Sequence, residues 1–328
     1  MIRYLVTRLL YALPTLLAVL TLVFVLVRIV PGDPALVIMG DQATPEALRE
    51  LRAKIGLDQP IWRQYLHYVG PFNLDQRGLL GSREDPFGGI LAGDFGPSFA
   101  YRDLWVNDII AQSLPISLAL GVLALILAVT LGLGLGILSA VRPGRIVDHL
   151  ARASASLASA LPNFVVAGLL ILLFAFKLEL FPVAGWGSWR HLVLPAVALG
   201  LPFAANIARL TRGGMLEALE RPHIQTAVAK GLAPWRIVLR HALPEALLPV
   251  IAYLGPAAAG VLSGSLVIEK IFFIPGTGSH FVNSALNRDY TLAMGVTVLY
   301  TVLVFALNTL VDLAQGLLDP RIAQGRRG

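Results

Sequence analysis

Apolar residues in this chain gather into long unbroken runs, the pattern of segments that meet an apolar solvent on every side. The first run, Leu9–Val27, is uncharged for 19 residues, enough to cross a bilayer as a helix. Five more follow at Leu114–Val141, Ala153–Phe176, Leu192–Ala208, Ala246–Ile268 and Tyr290–Val311, the Leu192 run being the shortest. This pattern predicts an all-α integral membrane protein with six transmembrane helices. Arg3 and Arg8 ahead of the first run look like the start of a secretion signal, but Pro31-Gly32-Asp33-Pro34 follows where a small-residue cleavage site would stand. The expectation is a retained anchor.

Residues 31–113 form a long polar interval between the first two runs. Thr44 is placed to cap a helix that starts at Pro45, with Leu48, Leu51 and Ile55 on one face and Gly56 at its end. Pro60 is placed to start another, carrying Trp62, Tyr65, Leu66 and Val69. Within the runs, Gly132 and Gly136 stand four apart, as do Gly260 and Gly264, a spacing that lets helices approach closely. Pro162, Pro195, Pro202 and Pro256 are positions where a helix can kink.

The 328 residues are 56% hydrophobic and 14% charged, against roughly 25% charged in soluble domains. A net charge of +6 alone would admit a nucleic-acid partner, but its distribution argues against one: residues 31–113 hold 11 acidic and 7 basic residues, a net of −4. In the short segments and tails, 14 Lys/Arg fall on one predicted side and four (Lys177, Arg190, Lys270, Arg288) on the other. The positive-inside rule then puts both termini and the interval Glu217–Pro249 in the cytoplasm. With no cysteine, disulfides and thiolate ligands are excluded.

The Glu217–Pro249 interval is the longest polar, basic stretch of the second half. It reads as two short helices with a break. Pro222 starts the first, Ile224, Ala227, Val228 and Leu232 form its apolar stripe, and Gly231 ends it in the left-handed conformation. Pro234 starts the second, which carries Trp235, Ile237, Val238 and Leu239 among Arg236, Arg240 and His241. A plain loop needs no such order; a helix meant for a partner's groove does.

Other chemistry is missing. No Asp, Glu, Lys or Arg lies within the six runs, which disfavours ion-coupled transport. No G-x-x-x-x-G-K-[ST] phosphate loop occurs, and the six histidines lack metal-ligand spacing. Ser263 and Ser265 have no histidine at nearby helical spacing, so an intramembrane hydrolase gains no support. Such a chain needs a motor on another molecule.

The residues from Gln225 onward resemble the cytoplasmic loop of ABC importer permeases, E-A-A, three residues, G, nine residues, I-x-L-P. Here the positions are Gln225, Thr226, Ala227, Gly231, His241, Leu243 and Pro244, with glutamine, threonine and histidine in place of the first glutamate, an alanine and the isoleucine. Thr226–Leu232 and Arg240–Pro249 resemble the oligopeptide/dipeptide permease family in particular, on the side of its B subunits. So do Pro31–Pro34, Gly93–Phe99, Val106–Asp108, Tyr253–Ala257, Gly264–Glu269, Pro275–Gly278, Phe281–Tyr290 and Asp319–Ile322. Asn73–Leu91 is an insertion relative to that family.

The resemblance implies the type I ABC importer permease fold, with a cytoplasmic coupling helix and a large extracytoplasmic loop after the first span. It divides the chain into a tail and first span (1–30), the extracytoplasmic region (31–113), a permease core (114–318) holding a coupling loop at 211–245, and a tail (319–328). It implies a non-enzymatic permease subunit in a bacterial inner membrane that forms a heterodimer with a second permease. Two ATPase subunits, an extracytoplasmic binding protein, a peptide substrate and membrane lipid complete the partners, with no nucleic acid. The chain itself would bind no cofactor; ATP and Mg would be used by the ATPases. Gln225, Thr226, Ala227, Ala229, Lys230, Gly231 and Leu232 are the coupling candidates. Ser263, Ser265 and Glu269 are candidates for the substrate path, and Asn287, Arg288 and Asp289 for the binding-protein contact. A nickel or glutathione permease belongs to the same branch, and an ATP-independent channel or carrier is the rival from another class.

Overall fold

The computed structural model describes residues 2–29, 34–40, 43–54, 57–70, 89–101, 104–287 and 289–318. Its helices run α1 (Ile2–Ile29), α2 (Pro34–Met39), α3 (Pro45–Lys54), α4 (Ile61–Val69), α5 (Val106–Val141), α6 (Ile146–Ala160) and α7 (Asn163–Leu170). After them come α8 (Arg190–Leu219), α9 (Pro222–Ala229), α10 (Pro234–Arg236), α11 (Leu243–Ile271), α12 (Thr277–Leu286) and α13 (Tyr290–Leu318). Widened π turns at Ile171–Lys177 and Ile237–Ala242 extend α7 and join α10 to α11. The chain divides into two compact units, residues 1–116 with 275–303, and residues 117–274 with 304–328.

Six spans are not what this structure contains. Among the described residues four helices are long and apolar enough to cross a membrane: Val106–Val141, Arg190–Leu219, Pro234–Leu262 and Tyr290–Leu313. The predicted span at Ala153–Phe176 is instead two helical segments, Ile146–Ala160 and Asn163–Lys177, meeting at 110°, and it adds a fifth span only if the pair is counted as one. Pro162 is the cause. It holds Leu161 extended (φ −84°, ψ 132°), and a proline cannot donate the backbone bond that would carry the helix through. Among the described residues the apolar part of α1 is Ala12–Leu26, shorter than a span requires. Its Leu20 and Phe24 are buried in the first unit, and Thr21 Oγ1 lies 2.6 Å from the Tyr65 hydroxyl.

In the first unit Leu20, Phe24, Tyr68, Val69, Ile90, Tyr290, Met294 and Val298 form one buried apolar cluster. Val106, Ile109, Ile110, Leu292 and Val296 form another. The helix starts read from sequence recur: Thr44 Oγ1 accepts from Ala47 N–H at 3.3 Å, and Pro60 precedes α4. Ile55, Gly56, residues 71–88 of the insertion region and the tail 319–328 lie outside the described residues. The Gly93–Phe99 and Val106–Asp108 motifs are bound to each other, Asn107 accepting from Phe95 N–H at 2.9 Å and donating to the Gly93 carbonyl at 2.6 Å.

In the second unit α5 and α8 touch along their backbones. A Cβ at Gly132 would stand 2.7 Å from Ile207 Cβ, and one at Gly136 would stand 2.6 Å from Thr211 Cβ and 2.8 Å from the Ala208 carbonyl oxygen. The four-residue glycine spacing is therefore a packing seam within the chain. Proline reshapes α11 too. The predicted second short helix does not stop: α10 passes through the π turn into α11, so one rod of Pro234–Leu262 replaces a helix and a separate span. A wider turn lets the helix path accommodate Pro244, which has no N–H to donate to the turn before it.

Candidate functional site

The sharpest local structure in the polar interval of the second unit is a knuckle between α8 and α11. Arg221 is extended at the N-cap (φ −70°, ψ 145°), and Pro222 takes the first helical position, where a missing N–H costs nothing. Ile224 and Gln225 N–H donate to the Arg221 carbonyl at 3.0 and 3.2 Å. At the other end Gly231 N–H donates to Val228 O at 2.9 Å and Leu232 N–H to Ala227 O at 3.3 Å, with Gly231 at φ +74°. Nothing lies within 4 Å of a Cβ built on Gly231, so the glycine serves backbone conformation and not space.

Ile224 (1% exposed) and Ala227 (7%) pack with Met215 and Ala218 of α8, Ala140 of α5, and Ile237, Ala242 and Ala246. Burying one isoleucine is worth about 1.5–3 kcal/mol, enough to hold a helix of two turns that would not stand alone. Salt links brace the rim: Arg221 reaches Glu217 at 3.3 Å and Glu245 at 3.2 Å, and His223 Nε2 lies 3.4 Å from Glu245. Arg221, Glu217 and His223 are exposed and Glu245 is half-buried, so solvent screens these links and the apolar contacts dominate.

The sequence-predicted coupling residues divide by face. Gln225, Thr226, Ala229, Lys230 and Gly231 are exposed, whereas Ala227 is buried and Leu232 half-buried. The apolar stripe differs from expectation at one position: Val228 is 58% exposed. With Trp235 at 61% and Leu239 at 51%, it puts three large apolar side chains on the knuckle's open side. Arg236 lies over the Trp235 ring at 5.2 Å. Spacing alone could not give this, because Val228 and Ala227 are adjacent and both fit an apolar stripe; what separates them is which one faces Met215.

Of the other candidates, Ser265, Glu269 and Asp289 are interior. Ser265 (1% exposed) donates to Leu262 O at 2.9 Å, and Glu269 (0%) accepts from Ser117 Oγ at 2.7 Å. The side chain of Ser263 and all of Arg288 lie outside the described residues. Asn287 is exposed at the end of α12, while Asp289 is fully buried. Its carboxylate accepts from Ser98 Oγ (2.5 Å), Phe99 N–H (3.1 Å), Ala100 N–H (3.1 Å), Thr291 Oγ1 (3.0 Å) and Leu292 N–H (3.2 Å). It caps α13 and ties down the loop of the Gly93–Phe99 motif at once. Sequence reading also missed the ion pair between the buried Asp148 and the partly exposed Arg212, whose arginine entered only as one positive charge among 14.

Long apolar helices define a multi-pass membrane protein, and the knuckle gives it an ordered, partly apolar exposed surface. The chain belongs to the family of binding-protein-dependent transport system inner membrane components, matching that family over residues 132–324 and its N-terminal companion over residues 1–121. It is 41% identical over 325 residues to the oligopeptide transport system permease protein OppB of Salmonella typhimurium, covering 98% of this chain and 99% of the relative. It is 43% identical over 329 residues to the dipeptide transport system permease protein DppB of Bacillus subtilis, covering 100% of each. Among solved structures, an inward-facing form of the MetNI methionine ABC transporter matches with a TM-score of 0.56 at 21% identity, over 64% of this chain and 96% of that one. An amino acid ABC transporter matches with a TM-score of 0.51 at 17% identity, over 63% and 93%. These two likenesses concern the fold alone.

Proposed function

We propose that this chain is a permease subunit of an ATP-driven importer for oligopeptides or dipeptides, and that the α9 knuckle is where an ATPase subunit drives it. The carrying observation is the knuckle: a short helix fixed by a buried stripe, stopped by Gly231, with Val228, Lys230 and Trp235 left open. Small side chains at Ala229 and Gly231 let a groove close around it, and Lys230 suits an acidic rim. The family membership and the near full-length identity to oligopeptide and dipeptide permeases support the substrate class.

The assembly comprises a second permease subunit, two ATPases that use ATP and Mg, and an extracytoplasmic binding protein that delivers the peptide. The basic bias of the short segments supports a cytoplasmic position for the tails and the 211–245 loop, and an opposite position, facing the binding protein, for residues 31–113. Asn287, Arg288 and Asp289 border that contact, Asp289 by shaping it. Ser263, Ser265 and Glu269 belong to the substrate-path region of α11, where the packed Ser265 and Glu269 must part for passage.

The test is cysteine cross-linking from Val228→Cys, in a chain without native cysteine, to the groove of the partner ATPase. A cross-link whose yield changes with ATP, with vanadate-sensitive uptake of a labelled tripeptide, is the expected result. No cross-link from a folded, inserted chain, or vanadate-insensitive uptake, refutes the docking role. Uptake of nickel or glutathione in place of peptide refutes the substrate class.

A further inference from the structure

Asp148, 1% exposed, sits in the first turn of α6 and is held by groups from three other places. Oδ1 accepts from Ser139 Oγ at 2.5 Å and from Arg212 Nε at 2.8 Å. Oδ2 accepts from Arg212 Nη2 at 2.9 Å and from the Gly144 N–H at 2.9 Å. Arg212 Nε also reaches Ser139 Oγ at 3.0 Å. The guanidinium fork thus grips both carboxylate oxygens, a geometry that fixes direction as well as distance. Arg152 approaches the same carboxylate from outside at 3.4 Å.

The cluster's place in the chain is what matters. Ser139 belongs to the end of α5, Gly144 to the turn, Asp148 to α6, and Arg212 to α8, two turns before that helix ends and the chain enters α9. Met215 and Ala218, further along α8, pack under α9 together with Ala140, the neighbour of Ser139. The end of α5 is therefore tied to α9 by an apolar contact that can slide, while the α5–α6 turn is tied to α8, which leads into α9, by an ionic contact that cannot turn.

We propose that Asp148, Arg212 and Ser139 are positioning residues that make the α5–α6 turn move as one body with α9 when the ATPase drives it; this rests on the docking role proposed above. A pair kept for stability alone is replaceable at little cost by neutral groups. A joint that carries torque needs the planar fork, and lysine, a point charge, replaces it only in part.

The experiment uses the complete importer in proteoliposomes, with Arg212→Gln and Arg212→Lys. Val228→Cys reports docking, and maleimide labelling of Arg145→Cys, an exposed site at the start of α6, reports the turn. In Arg212→Gln the Val228 cross-link still follows nucleotide and ATP is still hydrolysed. Labelling at 145 no longer changes with nucleotide, and peptide moved per ATP falls at least tenfold; Arg212→Lys lies between. Labelling that still follows nucleotide, at an unchanged ratio, overturns the proposal. If Arg212→Gln does not assemble, Arg212→Lys decides by the same two readings, wild-type values again overturning it. A wild-type chain with no cross-link from Val228 overturns the docking role, and the joint with it.

Discussion

Replacing Asp289 with asparagine keeps the side chain's shape and removes its charge, and the consequences can be counted from the five donors around it. The asparagine carbonyl is best placed on the Oδ1 side, where it keeps Phe99 N–H, Leu292 N–H and Thr291 Oγ1. Its amide then faces Ser98 Oγ, which can turn to accept, and Ala100 N–H, which cannot. One opposed donor costs about 1–3 kcal/mol, and weakening of the charge-assisted bonds brings the total to about 3 kcal/mol. Alanine removes both acceptor oxygens from all five donors and costs about 4–5 kcal/mol, the loop relaxing toward water for the remainder. Because about 1.4 kcal/mol is tenfold, hydrogen exchange at Phe99, Ala100 and Leu292 should quicken roughly 100-fold in Asp289→Asn and further in Asp289→Ala. Exchange unchanged in Asp289→Ala, with capture of the binding protein lost, would refute the clamp and make the carboxylate a docking group.

Three further outcomes follow from the same geometry. Gly231→Val, forced to φ +74° at a cost of about 1–2 kcal/mol, and Ala227→Arg, driven out of its apolar cluster, should both insert normally and lose uptake; wild-type uptake by both refutes the docking role of α9. Gly136→Leu overpacks against Thr211 and the Ala208 carbonyl and should lower detergent stability by about 1–3 kcal/mol, while Gly134→Leu, with nothing within 4 Å of its Cβ, should not; equal melting shifts would refute the seam. His280 is held below its ordinary 6.5 by burial, its Nδ1 having no hydrogen-bond partner. The folded state then binds fewer protons than the unfolded one, so this stability is complete above pH 6.5 and is lost as pH falls toward the depressed value. His280→Gln should flatten the melting profile of the first unit across that window.

Local chemistry was legible and long-range pairing was not. Pro222 and Gly231 bound α9 as read, because a proline start and a left-handed stop are decided within a few residues. Pro162 was visible as a kink position, but whether a proline bends a helix slightly or by 110° depends on what the next segment packs against. The outward Val228 needed knowledge of Met215. Asp148 and Arg212 are 64 residues apart, and Asp289 and Ser98 are 191 apart, so no window of sequence contains either pair. The resemblance of Phe281–Tyr290 to the permease family points to Asp289 as a binding-protein contact, and nothing in that stretch shows that its carboxylate is buried. Its five donors could be found only in space.

The π turn at Ile237–Ala242 has a consequence for phase. A π turn accommodates about one residue more than an α turn, and each residue of an α-helix advances about 100°. Removing a single residue there would let the rod close into an ordinary helix of almost the same length. Because the π turn takes up its extra residue within one revolution, every side chain from Leu243 to Ile271 would keep its face, whereas the same deletion in an ordinary α turn would re-aim them all by about 100°; the π turn is where this rod can lose a residue without changing the face of α11.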